Sequence, residues 1–517
     1  MEASHLETTN GKSTNGRAVV TEMVDYEVAI VGSGFSGIGT GIKLKKMGID
    51  NFVILEKAGE LGGTWRDNTY PGFTVDVPAL TYSYSFEQNP EWSNLYAPQQ
   101  ELLAYANTVA NKYDVRRHIQ FNRTVQKAVY DESRNLWTIH FEGGQTITAR
   151  YLVRATGFLP VPKMPDIEGI NTFQGKMMHT AKWDHSYSLA GKRVGFIGTG
   201  ATGIQAIPEI APVVGSMAVY QRTPIWLMPK NDLVMSERMK KLFRYVPGFQ
   251  HLMRLITCGL TDAVLIGTFV KYTRLGWLLR KLEKTCVNHI RSQVKDPALA
   301  EKFIPPYNFG CKRPSFTNKF YPVFNQENVE LVTDTIARIT PKGIVTVDGK
   351  EREFDVLICA TGFSTPFDRA GATLQVFGKD GLELTDFWEE NRYQAFMGAS
   401  VPNFPNFFML FGPYSLCSGS YFGMIENQSR HLIRCLEAAR KRNANYIEVK
   451  KESHDADFQK MLSRMPSTVF KAGSCSLSNS YYFNRHGDSP FIRPSLGIIT
   501  WWESHSFSMN HYNFASR

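Results

Sequence analysis

Two stretches of the chain alternate apolar and polar positions in the same way, as an apolar run, a glycine-rich turn and an amphipathic segment. The first reads EVAIVGSGFSGIGTGIKLKKMGIDNFVILEK. Its pattern predicts a buried strand at residues 27–31, a helix at 36–47 and a second strand at 52–55. The second stretch, KRVGFIGTGATGIQAIPEIAPVVGSMAVYQRTP, repeats that order. The chain is therefore predicted to be α/β, with two units built on parallel strands.

The first glycine turn has the spacing of a dinucleotide-binding, Rossmann-like fingerprint. Gly32 allows the tight turn, Gly34 lets the backbone approach a pyrophosphate, and Gly37 permits close helix packing. The positive end of the helix dipole then faces the phosphates. Glu56 follows about twenty residues later, where a carboxylate accepts hydrogen bonds from a ribose 2'-hydroxyl. This arrangement suits FAD, whose ribose carries no 2'-phosphate.

The second turn repeats the glycines at Gly198, Gly200 and Gly203, but its second strand ends in Gln221 and Arg222. A guanidinium favours a 2'-phosphate that a carboxylate would repel, so NADPH is predicted in preference to NADH. One such turn is weak evidence, because glycine turns also occur for packing reasons alone. Two turns in full strand and helix context, with partners of opposite charge, predict electron transfer between two bound dinucleotides.

Two near-duplicate segments indicate how the units are arranged along the chain. YLVRATGF at residues 151–158 and FDVLICATGF at 354–363 each predict a late strand that ends at a glycine beside a cofactor. The resulting division is a disordered tail, an FAD-binding domain in two parts, and an NADPH-binding domain inserted between them with a helical subdomain. The ranges are 1–21 for the tail, 22–165 and 370–517 for the FAD domain, and 166–369 for the NADPH domain, with helices at about 231–300.

Composition narrows the class of protein without identifying it. The 517 residues are 43% apolar and 21% charged, which is typical of a soluble globular protein. The net charge of +10 is scattered, so it favours anionic cofactors over a nucleic-acid partner. The first twenty residues lack the apolar core of a signal peptide, and the sequence predicts a cytoplasmic protein.

The seven cysteines are odd in number and scattered. They form no CxxC pair and no metal-ligand spacing, so we expect no metal site, no disulfide framework and a reducing compartment. The absence of two adjacent thiols also argues against a disulfide reductase.

Residues 255–270, LITCGLTDAVLIGTFV, form the most apolar stretch and are flanked by Arg254 and Lys271. The stretch is short for a membrane span and contains Asp262. Two interpretations stay open, a buried or lid helix and a helix that dips into a membrane to recruit apolar substrates.

The segment FQGKMMHTAKWD carries Phe173, Gly175, His179, Trp183 and Asp184. This spacing resembles the signature FxGxxxHxxxW, followed by Pro or Asp, of the class B flavin-dependent monooxygenases of the Baeyer-Villiger type. The resemblance extends from about residue 28 to the C-terminus. It implies an FAD- and NADPH-dependent enzyme that uses O2 to insert one oxygen beside a ketone carbonyl. For His179 it implies a hinge role coupled to NADPH binding or, as the alternative, direct acid or base chemistry.

The resemblance also implies which residues surround the cofactors. The FAD set combines the first turn with the block LGGTWRDNTYPGFTVDVPALTYSYSF, and the NADPH set combines the second turn with one later lysine. The FAD set is Gly32, Gly34, Phe35, Gly37, Glu56, Thr64, Trp65, Arg66, Asp67, Thr74, Val75, Asp76, Val77 and Tyr82. The NADPH set is Gly198, Thr199, Gly200, Ala201, Thr202, Gly203, Ile204, Gln205, Gln221, Arg222 and Lys312.

Arg313 and Asp76 are the implied catalytic pair. Arg313 would stabilise anionic oxygen on the flavin and then on the ketone, and Asp76 would hold the guanidinium. A buried carboxylate in such an apolar segment needs a cationic partner, whereas Lys312 and Arg313 without the resemblance would be a solvated basic pair. Tyr481 or Tyr482 replaces a tryptophan segment found in many members, in a form similar to fungal and actinobacterial enzymes that oxidise bulky polyketide or terpenoid ketones.

Two alternative functions stay open at this point. One is a flavin monooxygenase that oxygenates nitrogen or sulfur, which has less need of the Asp76–Arg313 pair. The other is a flavin redox sensor that has lost turnover. The sequence does not indicate an oligomeric state.

Overall fold

The computed structural model describes residues 24–365, 367–416 and 420–516, and the predicted tail at 1–21 lies outside them. The described strands, in chain order, are β1 Tyr26–Val31, β2 Phe52–Leu55, β3 Ile119–Gln120, β4 Val125–Asp131, β5 Leu136–Phe141, β6 Thr146–Arg154, β7 Val161–Pro162, β8 Lys176–His179, β9 Arg193–Ile197, β10 Ser216–Tyr220, β11 Leu227–Met228, β12 Ser315–Phe316, β13 Val329–Val332, β14 Ile336–Ile339, β15 Gly343–Thr346, β16 Glu351–Glu353, β17 Val356–Cys359, β18 Phe363–Ser364, β19 Gln375–Phe377, β20 Phe407–Met409, β21 Tyr446–Val449 and β22 Tyr512–Ala515.

The described α-helices are α1 Phe35–Lys46, α2 Thr64–Asp67, α3 Gln99–Lys112, α4 Ala201–Ile210, α5 Glu237–Tyr245, α6 Phe249–Thr261, α7 Gly267–Val270, α8 Tyr272–Gln293, α9 Pro297–Lys302, α10 Phe320–Val323, α11 Leu384–Asn391, α12 Tyr421–Lys441, α13 Lys451–Arg464, α14 Val469–Ala472 and α15 Gly497–Ser506. The first glycine unit was predicted closely: β2 has its predicted bounds, and β1 and α1 each begin one residue earlier than predicted.

The first sheet has the strand order β19-β4-β5-β6-β1-β2-β3, with β20 also paired to β6. The pairs of β1 with β2 and with β6 are parallel, whereas β4, β5 and β6 form an antiparallel meander. Residues 28–31 of β1 are buried, as an unbroken apolar run in a parallel sheet requires. The helix α12 packs against α1 and brings the C-terminal part of the chain back onto this sheet.

The second sheet is fully parallel, in the order β13-β10-β9-β17-β8. All of its strands fall within the predicted range 166–369, although the domain boundaries themselves stay predictions. The two near-duplicate segments contribute β6 and β17, and each of these strands lies beside the strand that leads into a glycine turn. The predicted pair of α/β nucleotide-binding units is confirmed.

The predicted helical portion contains a continuous helix from Phe249–Val270, in which the π-helical turn Asp262–Ile266 joins α6 to α7. It is long and apolar enough to cross a membrane, yet only 24% of its most apolar stretch is buried. Leu255 and Leu260 are 65% and 61% exposed. The helix is therefore not a buried core helix, so that part of the first interpretation is wrong, whereas a lid helix and a helix that dips into a membrane both stay predictions.

Cys311 and Cys475 form a disulfide across 164 residues of sequence. The prediction that the chain has no disulfide is wrong, because spacing in the sequence does not reveal which distant loops the fold brings together. The bond removes one reason for expecting a reducing compartment, and the cytoplasmic location stays a prediction. The other cysteines in the described ranges, Cys258, Cys286, Cys359 and Cys435, are free.

Candidate active site

A cavity of 1540 Å³ runs between the carboxyl ends of the parallel strands of the two sheets. Both glycine turns, the segment of residues 62–77 and the loop of residues 310–314 contribute to its wall. Single-ligand sites are usually about 300–1,000 Å³. The cavity is therefore large enough for more than one ligand, and it lies where ligands bind in open α/β sheets.

The first glycine turn presents unprotected backbone donors to the cavity. Gly32 has a φ of +107°, and a Cβ there would lie 2.6 Å from the carbonyl oxygen of Ala155. The helix α1 begins after Gly34 without a side-chain cap or an acidic residue in its first turn. Its first N–H groups are thus free to bind phosphate oxygens.

Glu56 at the end of β2 is 4% exposed and already engaged by its neighbours. Its Oε2 accepts hydrogen bonds from the amide and hydroxyl of Ser33 at 3.0 and 2.7 Å. Its Oε1 lies 3.0 Å from a guanidinium nitrogen of Arg66. The carboxylate is thus held at the turn, beside the place predicted for the FAD ribose.

The second turn has the same design. Gly198 has a φ of +110°, and a Cβ there would lie 2.5 Å from the carbonyl oxygen of Ala360. The helix α4 also begins without a side-chain cap. Lys312 and Arg222 both line this side of the cavity. Burial, and after it the positive charge of Arg222, lower the pKa of Lys312 to about 8, as expected for a buried cation with a second cation nearby.

Gln205 of α4 joins the two units. Its amide donates to the carbonyl of Thr74 at 3.0 Å, and its Oε1 accepts from the hydroxyl of Tyr70 at 3.0 Å. His185 and Thr69 form a further contact between the units at 2.9 Å. The segment that leads to Asp76 is thus fixed against the second unit, which places the carboxylate between the two glycine turns.

The guanidinium of Arg313 donates to Oδ1 of Asp76 at 2.5 Å, and both side chains line the cavity. Burial alone would lower the pKa of Arg313, but the charge of Asp76 raises it above its ordinary value. The cation is therefore permanent. Its exposed fraction is 36%, so part of the guanidinium remains free to meet an anionic group in the cavity.

Aromatic rings close the wall around this pair. Trp65 stacks on Phe73 with ring centroids 4.7 Å apart, and its indole N–H donates to the hydroxyl of Tyr82 at 3.2 Å. Burial raises the pKa of both Tyr481 and Tyr482. These phenols therefore stay neutral beside the guanidinium and do not neutralise it.

The structure brings most of the predicted cofactor residues into one cavity wall, and the exceptions are informative. Gly37, Gly203 and Ile204 do not line the cavity. A Cβ at Gly37 would lie 1.9 Å from the carbonyl oxygen of Gly32, so this glycine permits close packing of helix on strand, and Ile204 is a buried core residue.

His179 also lies outside the cavity wall, at the end of β8. Its Nδ1 accepts the amide hydrogen bond of Ala181 at 3.1 Å, and burial lowers the pKa of the ring. The ring contacts Phe363 edge to face at 5.9 Å, and Phe363 does line the cavity. This position does not support direct acid or base chemistry by His179, whereas the hinge role stays a prediction.

Sequence reasoning missed the apolar part of the wall. It includes five side chains from four distant parts of the chain: Phe269, Val270, Leu416, Phe470 and Ile492. No local pattern distinguishes these residues from ordinary core positions. The disulfide next to Arg313 and the hydrogen bond from the Asn308 amide to Ser474 Oγ at 3.0 Å hold the loop that carries Arg313 against the part of the chain that contains Phe470.

Comparisons with known proteins agree with this geometry. Residues 29–240 match the family model described as pyridine nucleotide-disulphide oxidoreductase. A Baeyer-Villiger monooxygenase of Pseudomonas aeruginosa is 38% identical over 87% of this chain and 84% of its own length.

Two solved structures show the same fold with cofactors bound. OTEMO in complex with FAD and NADP superposes with a TM-score of 0.83 at 27% identity, over 95% of this chain and 99% of its own. Oxidised steroid monooxygenase bound to NADP gives a TM-score of 0.81 at 27% identity, over 95% and 100%. The uncapped turns, the buried carboxylate at the first and the paired cations at the second fit FAD and NADPH respectively. The chain thus belongs to the Baeyer-Villiger monooxygenases, the FAD- and NADPH-dependent flavin enzymes that insert an oxygen atom from O2 beside a ketone carbonyl.

Proposed function

We propose that the substrate of this Baeyer-Villiger monooxygenase is a bulky, largely apolar ketone, such as a polyketide or terpenoid ketone. The apolar part of the cavity wall supports this substrate class, because it adds apolar surface beyond the two glycine turns. It includes Phe269, Val270, Leu416, Phe470 and Ile492. One solved structure of similar fold is that of an enzyme named steroid monooxygenase, and steroids are bulky, largely apolar molecules.

The contact of Arg313 with Asp76 carries the proposed chemistry. When bound, FAD reduced by NADPH supplies activated oxygen from O2. Arg313 stabilises negative charge on oxygen at the reacting centre, because its cation is fixed before the reaction and needs no reorganisation. Asp76 accepts a charge-assisted hydrogen bond from the guanidinium and orients it. Trp65, Tyr82 and the Tyr481–Tyr482 pair exclude water from the same region.

Lys312 and Arg222 hold the 2'-phosphate of NADPH in this proposal. The two cations line the cavity beside the uncapped start of α4, and their mutual repulsion is relieved when an anion binds between them. The glycine turn receives the pyrophosphate on the free N–H groups of α4.

We further propose a cytoplasmic enzyme that contacts a membrane peripherally through residues 255–270. The large exposed fraction of this apolar helix supports the contact. Thr261 and Phe269 of the same helix line the cavity, so the helix lies between the surface and the site.

The test is a product analysis with the FAD-loaded enzyme, NADPH and isotopically labelled O2. The substrates are a panel of cyclic ketones of increasing size, with a thioether of similar shape as the competitor. We expect one labelled oxygen in an ester or lactone and a kcat/KM that rises with ketone size. Sulfoxide as the main product would favour the heteroatom oxygenase, and NADPH oxidation that no substrate accelerates would favour the redox sensor.

A further inference from the structure

The exposed apolar side chains of this molecule are concentrated on one surface. Twenty large apolar side chains are exposed within the described ranges, and thirteen of them belong to residues 242–277 and 498–502. Soluble proteins seldom expose such a contiguous set unless something binds it. We call this region the apolar face; its exposed members are Leu242, Tyr245, Val246, Leu252, Leu255, Ile256, Leu260, Val264, Trp277, Ile498, Ile499, Trp501 and Trp502.

The face is continuous because Asp262 joins its two halves. This carboxylate lies in the π-helical turn between α6 and α7, and it accepts hydrogen bonds from the amides of Gly497 and Ile498 at 3.0 and 3.4 Å. These are the first amides of α15, so the start of α15 abuts the apolar helix. Trp501 and Trp502, which are 47% and 65% exposed, follow one turn later.

Cations lie along the segments that form the apolar face. Residues 236–284 contain ten Lys and Arg against three Asp and Glu, and nine of the ten cations, all but the buried Arg254, are at least partly exposed. The helix α5, which packs against α6, has no buried residue and carries four of these cations beside Leu242 and Tyr245. At the other end of the apolar helix, Lys271 and Arg274 are exposed and form no ion pair with any described residue. A basic amphipathic helix beside exposed tryptophans is typical of proteins that lie in the interface of a bilayer.

We propose that this face, formed by α5, the helix Phe249–Val270 and the starts of α8 and α15, docks the enzyme onto anionic lipid membranes. The proposal rests on the peripheral contact proposed above for residues 255–270 and adds three further elements and a lipid charge. The cations match the negative headgroups, the tryptophans sit at the headgroup level, and the leucines enter the acyl boundary.

The contact is peripheral because one side of the apolar helix belongs to the protein interior. Arg254 is buried, and its guanidinium donates to the carbonyls of Leu80 and Ser83 at 2.8 Å each. Four residues of the helix line the cavity: Thr261, Ile266, Phe269 and Val270. One layer of helix therefore separates the docked lipid from the cavity, which gives an apolar ketone dissolved in the bilayer a short path to the site.

The test is co-sedimentation of the full-length, FAD-loaded enzyme with vesicles of phosphatidylcholine, with and without phosphatidylserine. We expect binding that requires phosphatidylserine and weakens with salt. The triple variant K241Q/K271Q/R274Q should bind about a hundredfold more weakly, since each cation near an anionic surface contributes about fivefold. The variants L255S/L260S and W501S/W502S should also lose binding. The matched control R338Q/V347S changes an exposed cation and an exposed apolar residue around β15, far from the face in sequence, and should bind like the wild type.

Two outcomes would overturn the proposal. One is the absence of vesicle binding. The other is a wild-type enzyme that dimerises in sedimentation velocity while L255S/L260S is monomeric, which would assign the face to a second copy of the chain. Turnover of cyclohexanone, which is water-soluble, separates docking from the catalytic proposal. We expect the face variants to retain that turnover and to lose only the advantage of vesicle-dissolved ketones, whereas an enzyme that fails on every ketone would refute the proposed substrate instead.

Discussion

Replacing Arg313 with alanine tests the central step of the proposed chemistry. The guanidinium lies 2.5 Å from Asp76 and remains 36% exposed to the cavity, so alanine removes a fixed cation and opens no void in a packed core. Loss of one preorganised donor at a developing oxyanion costs about 10²–10³ in kcat, or about 2.7–4 kcal/mol. We therefore expect ester or lactone formation by Arg313→Ala to fall at least about a hundredfold.

The assay follows product, NADPH and hydrogen peroxide separately, because the variant is expected to lose coupling before it loses reduction. Asp76→Asn is the graded companion. It keeps an oxygen acceptor at the same place, and a hydrogen bond to a charged partner is worth about 1 kcal/mol more than a neutral one. About a fivefold loss of product is therefore expected, since a tenfold loss corresponds to about 1.4 kcal/mol.

The control is Lys319→Ala, which removes a cation that pairs with Glu209 on the surface and is 75% exposed. It should leave turnover and coupling unchanged. If Arg313→Ala retained the product yield per NADPH of the wild type, the proposed role of the guanidinium would be refuted, whatever the change in overall rate.

Three further predictions follow from contacts in the cavity. Lys312→Met should raise KM for NADPH about tenfold or more and leave KM for NADH unchanged. Because the pKa of Lys312 is lowered to about 8, kcat/KM of the wild type for NADPH should fall as pH rises through 8. The same pH profile in the wild type and in Lys312→Met would contradict the role of Lys312 in binding the 2'-phosphate. Gly198→Ala should abolish NADPH binding in fluorescence titration while FAD stays bound, since its φ of +110° and the 2.5 Å approach of a carbonyl leave no place for a methyl group; unchanged NADPH affinity would contradict this. Cys475→Ser should lower Tm, because loss of the disulfide restores entropy to the unfolded chain and lowers the free energy of unfolding by up to about 5 kcal/mol. Dithiothreitol should lower the Tm of the wild type by the same amount. An unchanged Tm in both experiments would show that the Cys311–Cys475 bond does not form.

The parts of the fold that could be predicted are those that local chemistry determines. A glycine with positive φ, a run of apolar residues and a following helix lie within a few residues of each other, so β1, α1 and β2 were placed to within one residue. The charge difference between Glu56 and Arg222 could likewise be predicted, because each lies within two residues of the end of its own strand. These features depend only on residues that are neighbours in the sequence, so they can be predicted without the structure.

The parts that could not be predicted depend on contacts between distant segments. Nothing in the sequence marks Cys311 and Cys475 as partners. They form a disulfide because the fold brings the loop before Arg313 against the C-terminal part of the chain. The exposure of Trp502 could not be predicted from the sequence, because an apolar stretch is equally compatible with a buried and with an exposed position. His179 matches a family signature, yet only the structure shows that its ring faces Phe363 and not the cavity.

The position of Asp76 depends both on its local segment and on contacts between distant parts of the chain. Its carboxylate belongs to a segment that Gln205 fastens to the second unit through Thr74, and its partner Arg313 sits on a loop that the disulfide fastens to the C-terminal part. The geometry of the ion pair thus depends on contacts between parts of the chain that are distant in sequence. A displacement of about 1 Å at a reacting centre can cost about a hundredfold in rate. Substitutions at the fastening contacts should therefore reduce coupling through Arg313 even though none of them touches the substrate.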